Sequence, residues 1–191
     1  MVQLPIVLIT TKPGKEHTVE EEVPDCLYRL DQSVRVERTG LGGVLKVYVN
    51  ISSRTAARAI KACWTSHVSR VVPIDAVVEA SLDKVVGEAV KLARRAKGSV
   101  AVRCVERGGR LGSAKHVEEA VGAILKEELG LAINLEDPDY EVRIEVLGEE
   151  AYLSLLNRED RQPPRRAWPP WKLSLIHISE PTRPRLISYA V

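Results

Sequence analysis

Apolar and polar positions along this chain switch repeatedly, at short spacing, between a period of two and a period near 3.6, the pattern of strands and helices stacked in layers. Residues 5–10 form an unbroken apolar run suited to a buried strand, and Pro13-Gly14 then punctuates it. A helix is expected from about Lys15, disturbed at Pro24, which has no N–H to donate inside a helix. Residues 34–38 alternate as a half-buried strand, and Thr39-Gly-Leu-Gly-Gly43 turns them into a second run at 44–49, a hairpin signal. Ser52 or Ser53 is placed to cap a helix with Ala56, Ala57, Ile60 and Cys63 on its apolar stripe and Arg54, Arg58 and Lys61 toward solvent. Residues 70–74 add a further strand.

A second unit begins around Asp75. Ser81 is expected to cap a helix with Val85, Ala89, Val90 and Ala93 on one face, and Gly98 follows a basic stretch that complements the helix dipole. Residues 99–105 read as a strong strand, 106–112 as a loop of glycine and arginine, and Ser113 as the cap of the clearest helix, lined by Val117, Val121, Ile124 and Leu125 and closed by Gly130. Residues 134–138 read as a turn, 140–146 alternate as a strand, and Gly148-Glu149 leads into a closing hairpin strand at 151–155. The expected fold class is α+β: an N-terminal ferredoxin-like unit over residues 1–75, by its strand, helix, strand, strand, helix, strand order, then an α/β domain over 76–156. Residues 157–172 shift to Pro, Arg and Trp and read as an arm or linker.

With 191 residues and 45% hydrophobic content the chain buries one sizeable core or two small ones. A formal charge of +2 announces no nucleic-acid partner, so charge distribution has to decide. Cys26, Cys63 and Cys104 lack Cys-x-x-Cys spacing and read as small apolar residues in a reducing compartment. The opening apolar run is too short for a membrane span, and a cytoplasmic location is expected. His17, His67 and His116 have no partners at metal-ligand spacing, and no nucleophile elbow or dinucleotide-binding turn occurs. The expectation is therefore no catalytic residue, no metal and no cofactor.

Chemistry concentrates between the strongest strand and the strongest helix. Arg103, Arg107, Arg110 and Lys115 crowd a short stretch with Glu106 as its acidic member, while Gly108, Gly109 and Gly112 let backbone amides approach a ligand. The helix N-terminus at Ser113 adds free N–H groups and a positive dipole end. Arginine forks match phosphate oxygens in pairs, so the stretch can hold phosphates; a solvated surface loop is an equal alternative. No Gly-Lys-Ser/Thr follows, so nucleotide hydrolysis is not implied.

Gly98-Ser-Val-Ala-Val-Arg-Cys-Val-Glu-Arg-Gly-Gly-Arg-Leu-Gly-Ser-Ala-Lys-His-Val-Glu-Glu-Ala-Val-Gly122, with Asn134-Leu-Glu-Asp-Pro-Asp-Tyr-Glu-Val-Arg-Ile-Glu-Val146 and Ala151-Tyr-Leu-Ser154, resembles a THUMP domain. Leu8-Ile-Thr-Thr-Lys-Pro-Gly14, Arg35-Val-Glu-Arg-Thr-Gly-Leu-Gly-Gly-Val44 and the run from Arg70 to Ala80 are similar to the N-terminal part of archaeal proteins in which THUMP stands alone. The resemblance implies binding of structured RNA, the acceptor stem and 3′ end of tRNA, by an adaptor like the one that assists tRNA cytidine acetylation. It places Arg103, Arg107, Arg110, Ser113 and Lys115, with Gly109 and Gly112, at the RNA contact. Alanine at Arg107 and Arg110 is then expected to weaken RNA binding with little change in melting temperature. Implied partners are tRNA and a tRNA-modifying enzyme such as an acetyltransferase, and no membrane. The alternative is the RNA-binding half of a tRNA methyltransferase, thiolating enzyme or pseudouridine synthase.

In the arm, Arg165, Arg166 and Trp168 are a second candidate RNA contact, by charge and stacking, against the simpler reading of a proline-stiffened segment. Leu173-Ser-Leu-Ile-His-Ile-Ser-Glu-Pro-Thr-Arg183 and Ile187-Ser-Tyr-Ala-Val191 resemble translated DNA-library adapters. Residues 173–191 are accordingly read as non-native, with the natural sequence expected to diverge near Lys172.

Overall fold

The computed structural model describes residues 6–108 and 111–165; Gly109, Arg110, Arg166, Trp168 and the 173–191 tail lie outside them. The first unit comprises β1 (Ile6–Thr10), α1 (Glu16–Leu27), β2 (Arg35–Arg38), β3 (Val44–Tyr48), α2 (Ser53–Ala62) and β4 (Arg70–Pro73). Its sheet runs β2-β3-β1-β4 with every neighbouring pair antiparallel. Two strand–helix–strand crossovers therefore interleave, each straddling a strand of the other, as the sequence order implies. The second unit comprises β5 (Ala76–Glu79), α3 (Leu82–Ala93), β6 (Val100–Arg107), α4 (Ala114–Leu129), β7 (Tyr140–Leu147) and β8 (Glu150–Leu156). Its sheet order is β5-β8-β7-β6, with β6 and β7 parallel and the other pairs antiparallel. β5 is four residues long and follows β4 at once; its run of apolar residues carried no alternation to mark it as separate.

The two sheets pack on each other, with helices on both outer faces. Alternation along each strand sends one set of side chains outward and the next inward. Val7, Ile9, Leu45, Val47 and Val71 meet Val19, Val23 and Leu27 of α1 and Ala56, Ala57 and Ile60 of α2. Val100, Val102, Cys104, Val142, Ile144, Leu153 and Leu155 meet α3 and α4. The inward set, Ile6, Leu8, Val44, Val72 and Ile74 against Leu147, Tyr152 and Leu156, forms a third apolar cluster between the sheets. At about 1.5–3 kcal/mol per fully buried large apolar side chain, this middle layer is what binds one unit to the other.

Pro24 does not end α1. Val19, Val23 and Leu27 recur every fourth residue and are fully buried, so packing of that stripe outweighs one missing backbone hydrogen bond. Ser52 caps α2, its hydroxyl accepting from Thr55 N at 3.1 Å, and Gly130 closes α4 in the left-handed region at φ 63°, as expected.

The arginines and lysine of α2 are not simply solvated. Arg54 donates to both Asp75 oxygens, at 2.6 and 3.1 Å, and to the Leu155 carbonyl at 2.6 Å. Arg58 meets Glu159 at 2.8 Å, and Lys61 donates to the Asp160 carbonyl. Arg54 Nε also stands 3.4 Å from Asp160, so these three side chains tie the first unit to the 157–165 segment.

Cys26 and Cys63 are joined in a disulfide, 37 residues apart in sequence, which overturns the reading of all three cysteines as unpaired. Cys26 sits in the last turn of α1 and Cys63 at the end of α2; the side-by-side packing of those helices makes the pair, and linear spacing carries no trace of it. The argument from unpaired thiols to a reducing compartment falls with it. Cys104 stays a free, buried thiol, held by burial and neighbouring carboxylates at a pKa of about 12.

Closing a loop of this length is worth about 3–4 kcal/mol by chain entropy. Reduction, or Cys63→Ser, is expected to lower the melting temperature by roughly 10 °C, readable by calorimetry with and without reductant. Iodoacetamide at about pH 8 should label neither state of Cys104 in the folded protein but should label Cys26 and Cys63 after reduction, because only the thiolate attacks; mass spectrometry of the labelled peptides checks both.

Candidate nucleic-acid interface

β6 is an edge strand, and it divides the basic residues singled out in the sequence between two surroundings. Val100, Val102 and Cys104 point into the core under α4, so Arg103 and Arg107, one residue out of phase, point to the face turned toward the first unit. Arg107 is held there: its Nη1 donates to Glu145 at 2.6 Å, and Glu145 is 2% exposed. The same carboxylate accepts from Arg143 Nε at 2.8 Å and faces Arg70 at 3.8 Å. Arg107 therefore compensates a buried negative charge, a commitment the sequence did not reveal because Glu145 is its neighbour only across the β6–β7 pairing.

Arg103 reaches the other way, round the strand edge, donating to the Leu135 carbonyl at 2.7 Å. With Val102, Ile133 and Leu135 it meets Lys115, Glu118, Glu119, Gly122, Ala123 and Lys126 of α4 around an open groove of about 370 Å³. Lys115 is exposed and touches Glu119 at 3.6 Å, an exposed pair worth less than about 1 kcal/mol and easily exchanged for another anion. Leu135 and Ile133 stay unusually exposed for their type. Glu118 turns inward and accepts from Cys104 N at 2.7 Å, pinning α4 to the edge strand.

The loop before α4 is braced from within. Glu106, the acidic residue among the arginines, accepts from Leu111 N at 2.6 Å and is thus a loop strut. Gly108 has φ 128°, and a Cβ there would stand 3.1 Å from the Gly148 backbone, too tight without a shift, while Gly112 has φ 82°. Ser113 is the N-cap residue of α4 by position, yet its side chain makes no capping bond. The opening turn thus presents N–H groups without intrahelical partners beside Lys115. Gly112 and Ser113 stand at the N-terminal end of α4, Gly109 and Arg110 are outside the described residues, and Arg165 lies against α2, its N–H bonded to the Lys61 carbonyl at 2.9 Å. The exposed apolar pair Ile133 and Leu135, and Lys126 one α4 turn beyond Gly122, were not singled out; only their exposure in the fold marks them. Among the described residues no group of three His, Cys, Asp or Glu is arranged to hold a metal ion, and no helix is long and apolar enough to cross a membrane.

Residues 75–156, the span that contains the groove, match the family model described as the THUMP domain. Residues 75–156 form a THUMP domain. Ahead of the THUMP domain, residues 6–72 match the N-terminal domain of a protein of unknown function, DUF3195. No curated protein sequence matches. Among solved structures, the chain with its THUMP domain is similar in fold to PH1313 from Pyrococcus horikoshii Ot3, with TM-score 0.66 and 17% identity over 87% of this chain and 57% of that one. It is also similar to TrmN from Thermus thermophilus, TM-score 0.56 and 23% identity over 83% and 46%. A third likeness is to a 4-thiouridine synthetase solved as an RNA complex with bound ATP, TM-score 0.59 and 16% identity over 87% and 44%. The chain thus spans about half the length of each.

Removing one member of a buried ion network exposes the rest to an uncompensated charge. Glu145→Ala is expected to destabilise by about 3–5 kcal/mol, and Arg107→Ala by about 1–3 kcal/mol, whereas Arg103→Ala should leave stability within about 0.5 kcal/mol. Urea unfolding of the three variants checks the order; an Arg107→Ala protein as stable as wild type would remove Arg107 from the network.

Proposed function

We propose that this chain binds structured RNA, tRNA among its targets, through the groove bounded by β6, the 133–135 turn and the first turns of α4. The observation that carries the reading is the convergence of Arg103, Lys115 and Lys126 on one open, partly apolar groove beside an uncapped helix N-terminus, inside a THUMP domain. Cations and free amides hold phosphates, and the apolar floor formed by Ile133 and Leu135 offers an unstacked base a face to rest on. The fold likeness to a 4-thiouridine synthetase solved with RNA supports this reading. Arg107 is left out of the contact in this reading, because its Nη1 is paired with the buried Glu145.

In this reading the chain acts as an adaptor, presenting tRNA to a modifying enzyme such as an acetyltransferase without catalysing a step itself. A second reading is favoured by one observation, that the chain spans 44–57% of its structural neighbours' length: an RNA-binding half joined to a modifying domain. The genomic reading frame beyond the Lys172 codon separates the two. A catalytic domain encoded there selects the second.

An acceptor-stem mini-helix should bind the full chain with a log K that falls linearly with log salt, because phosphate contacts release counterions. Arg103→Ala, Lys115→Ala and Lys126→Ala should each weaken binding across RNA sequences and flatten the salt slope by about 1. Arg107→Ala should change the melting temperature and leave the slope alone. Binding that ignores salt, or a slope insensitive to the first three substitutions, defeats the assignment of the groove.

A further inference from the structure

A second basic site lies between the two sheets, and nothing in the groove reading uses it. A cleft of about 260 Å³ opens between the edge strand β4, the start of β7 and the segment after β8, lined by Arg70, Glu141, Arg143, Asp160, Arg161 and the Pro163-Pro164 wall among others. Arg143 is the buried member, 9% exposed. Its Nε donates to Glu145 at 2.8 Å and its Nη1 reaches Glu141 at 3.4 Å, but its buried Nη2 has no hydrogen-bond partner among the described residues. A buried guanidinium N–H left unpaired is costly, and such groups in native structures call for a missing partner.

The charges around that N–H do not balance. Arg70, Arg107 and Arg143 share Glu145, with Glu141 as the second carboxylate beside them. Asp160 also lines the cleft but is taken by Arg54 at 3.4 Å and by backbone N–H of Asn157. Arg161 adds a further cation whose guanidinium donates to the carbonyls of Asn157 and Pro138. Burial, and then the charge of Arg143, push Arg70 below the ordinary arginine range, with Glu145 and Glu141 offsetting only part of the effect.

We infer that this inter-sheet cleft, built on Arg143 with Arg70 and Arg161 at its mouth, is a binding site for a phosphate group. A phosphate supplies the missing acceptor for Nη2 and the missing negative charge together, and arginine forks engage its oxygens in pairs. Arg70 at the mouth is half exposed and 3.8 Å from Glu145, so its side chain is able to swing onto the incoming phosphate as Nη2 is uncovered. At about 260 Å³ the cleft lies below the roughly 300–1,000 Å³ of sites for drug-sized ligands, in keeping with a ligand as small as a single phosphate. The phosphate comes either free from solution or from the RNA of the neighbouring groove, since Arg143 pairs in register with Arg103 on the adjacent strand. The site itself rests on the cleft geometry and not on the RNA reading.

The test is thermal melting of the full chain against inorganic phosphate, with chloride adjusted to constant ionic strength. At about 100 times its dissociation constant, phosphate should raise the wild-type melting temperature by roughly 5–10 °C. The Arg70→Ala/Arg161→Ala protein, altered only at the mouth, should lose more than half of that rise, and Arg143→Lys, which keeps the charge but not the second N–H pair, should lose nearly all of it. Should Arg143→Lys fail to fold, the mouth variant decides. No rise beyond that given by chloride, or an equal rise in wild type and mouth variant, overturns the proposal. Repeating the titration with saturating acceptor mini-helix names the source: a several-fold weaker apparent phosphate affinity means an RNA phosphate occupies the cleft, and an unchanged one means free phosphate does. A protein that takes up phosphate but not mini-helix keeps this site and loses the groove.

Discussion

The face-to-face packing of two sheets is the contact on which the rest of this molecule stands. Half of that contact is apolar, where Ile6, Leu8, Val72 and Ile74 meet Tyr152 and Leu156. The other half is ionic, with Glu145 at its centre and arginines from β4, β6 and β7 around it. Each part conditions the other. The apolar half excludes water and so strengthens every charge interaction beside it, and the ionic half keeps the buried Glu145 compensated, chiefly by Arg107 and Arg143 of its own sheet. Lys46, which lies over the Tyr152 ring at 5.0 Å and bonds Glu150 at 3.1 Å, sits at the seam between them.

That arrangement explains why the basic residues of β6 have divergent fates. A strand alternates its side chains between two faces, so Arg103 and Arg107 leave the backbone in the same direction. Arg107 lies beside Glu145 and is consumed by it, whereas Arg103 has free space round the strand edge and reaches the Leu135 carbonyl. An arginine-rich stretch thus serves cohesion at one end and an open surface at the other. Charge density along the chain cannot distinguish the two uses, because the deciding partner arrives through strand pairing.

Much of the fold was legible. Continuous and alternating apolar runs marked all strands but β5, and the Ser52 and Gly130 caps were in place because their chemistry is local, whereas Ser81 and Ser113, expected as caps, stand at N-cap positions without a side-chain capping bond. Asn134 likewise closes its turn by accepting from Glu136 and Asp137 N–H groups. What escaped was long-range. The Cys26–Cys63 bond, the ties from Arg54 to Asp75 and from Arg58 to Glu159, and the capture of Arg107 by Glu145 all join residues far apart in sequence. Pro24, expected to disturb α1, leaves it continuous for the same reason, since that helix is held by what lies beneath it rather than by its own backbone.

Between β4 and β5 only Ile74 and Asp75 intervene, and both are engaged: Ile74 N bonds the Ile6 carbonyl at 3.0 Å, and Asp75 N bonds the Leu153 carbonyl at 2.9 Å while its carboxylate takes Arg54. A hinge needs unbound peptide units to rotate, and this junction offers none. The molecule therefore works as a fixed caliper, and a partner that touches both units must bring the matching span itself.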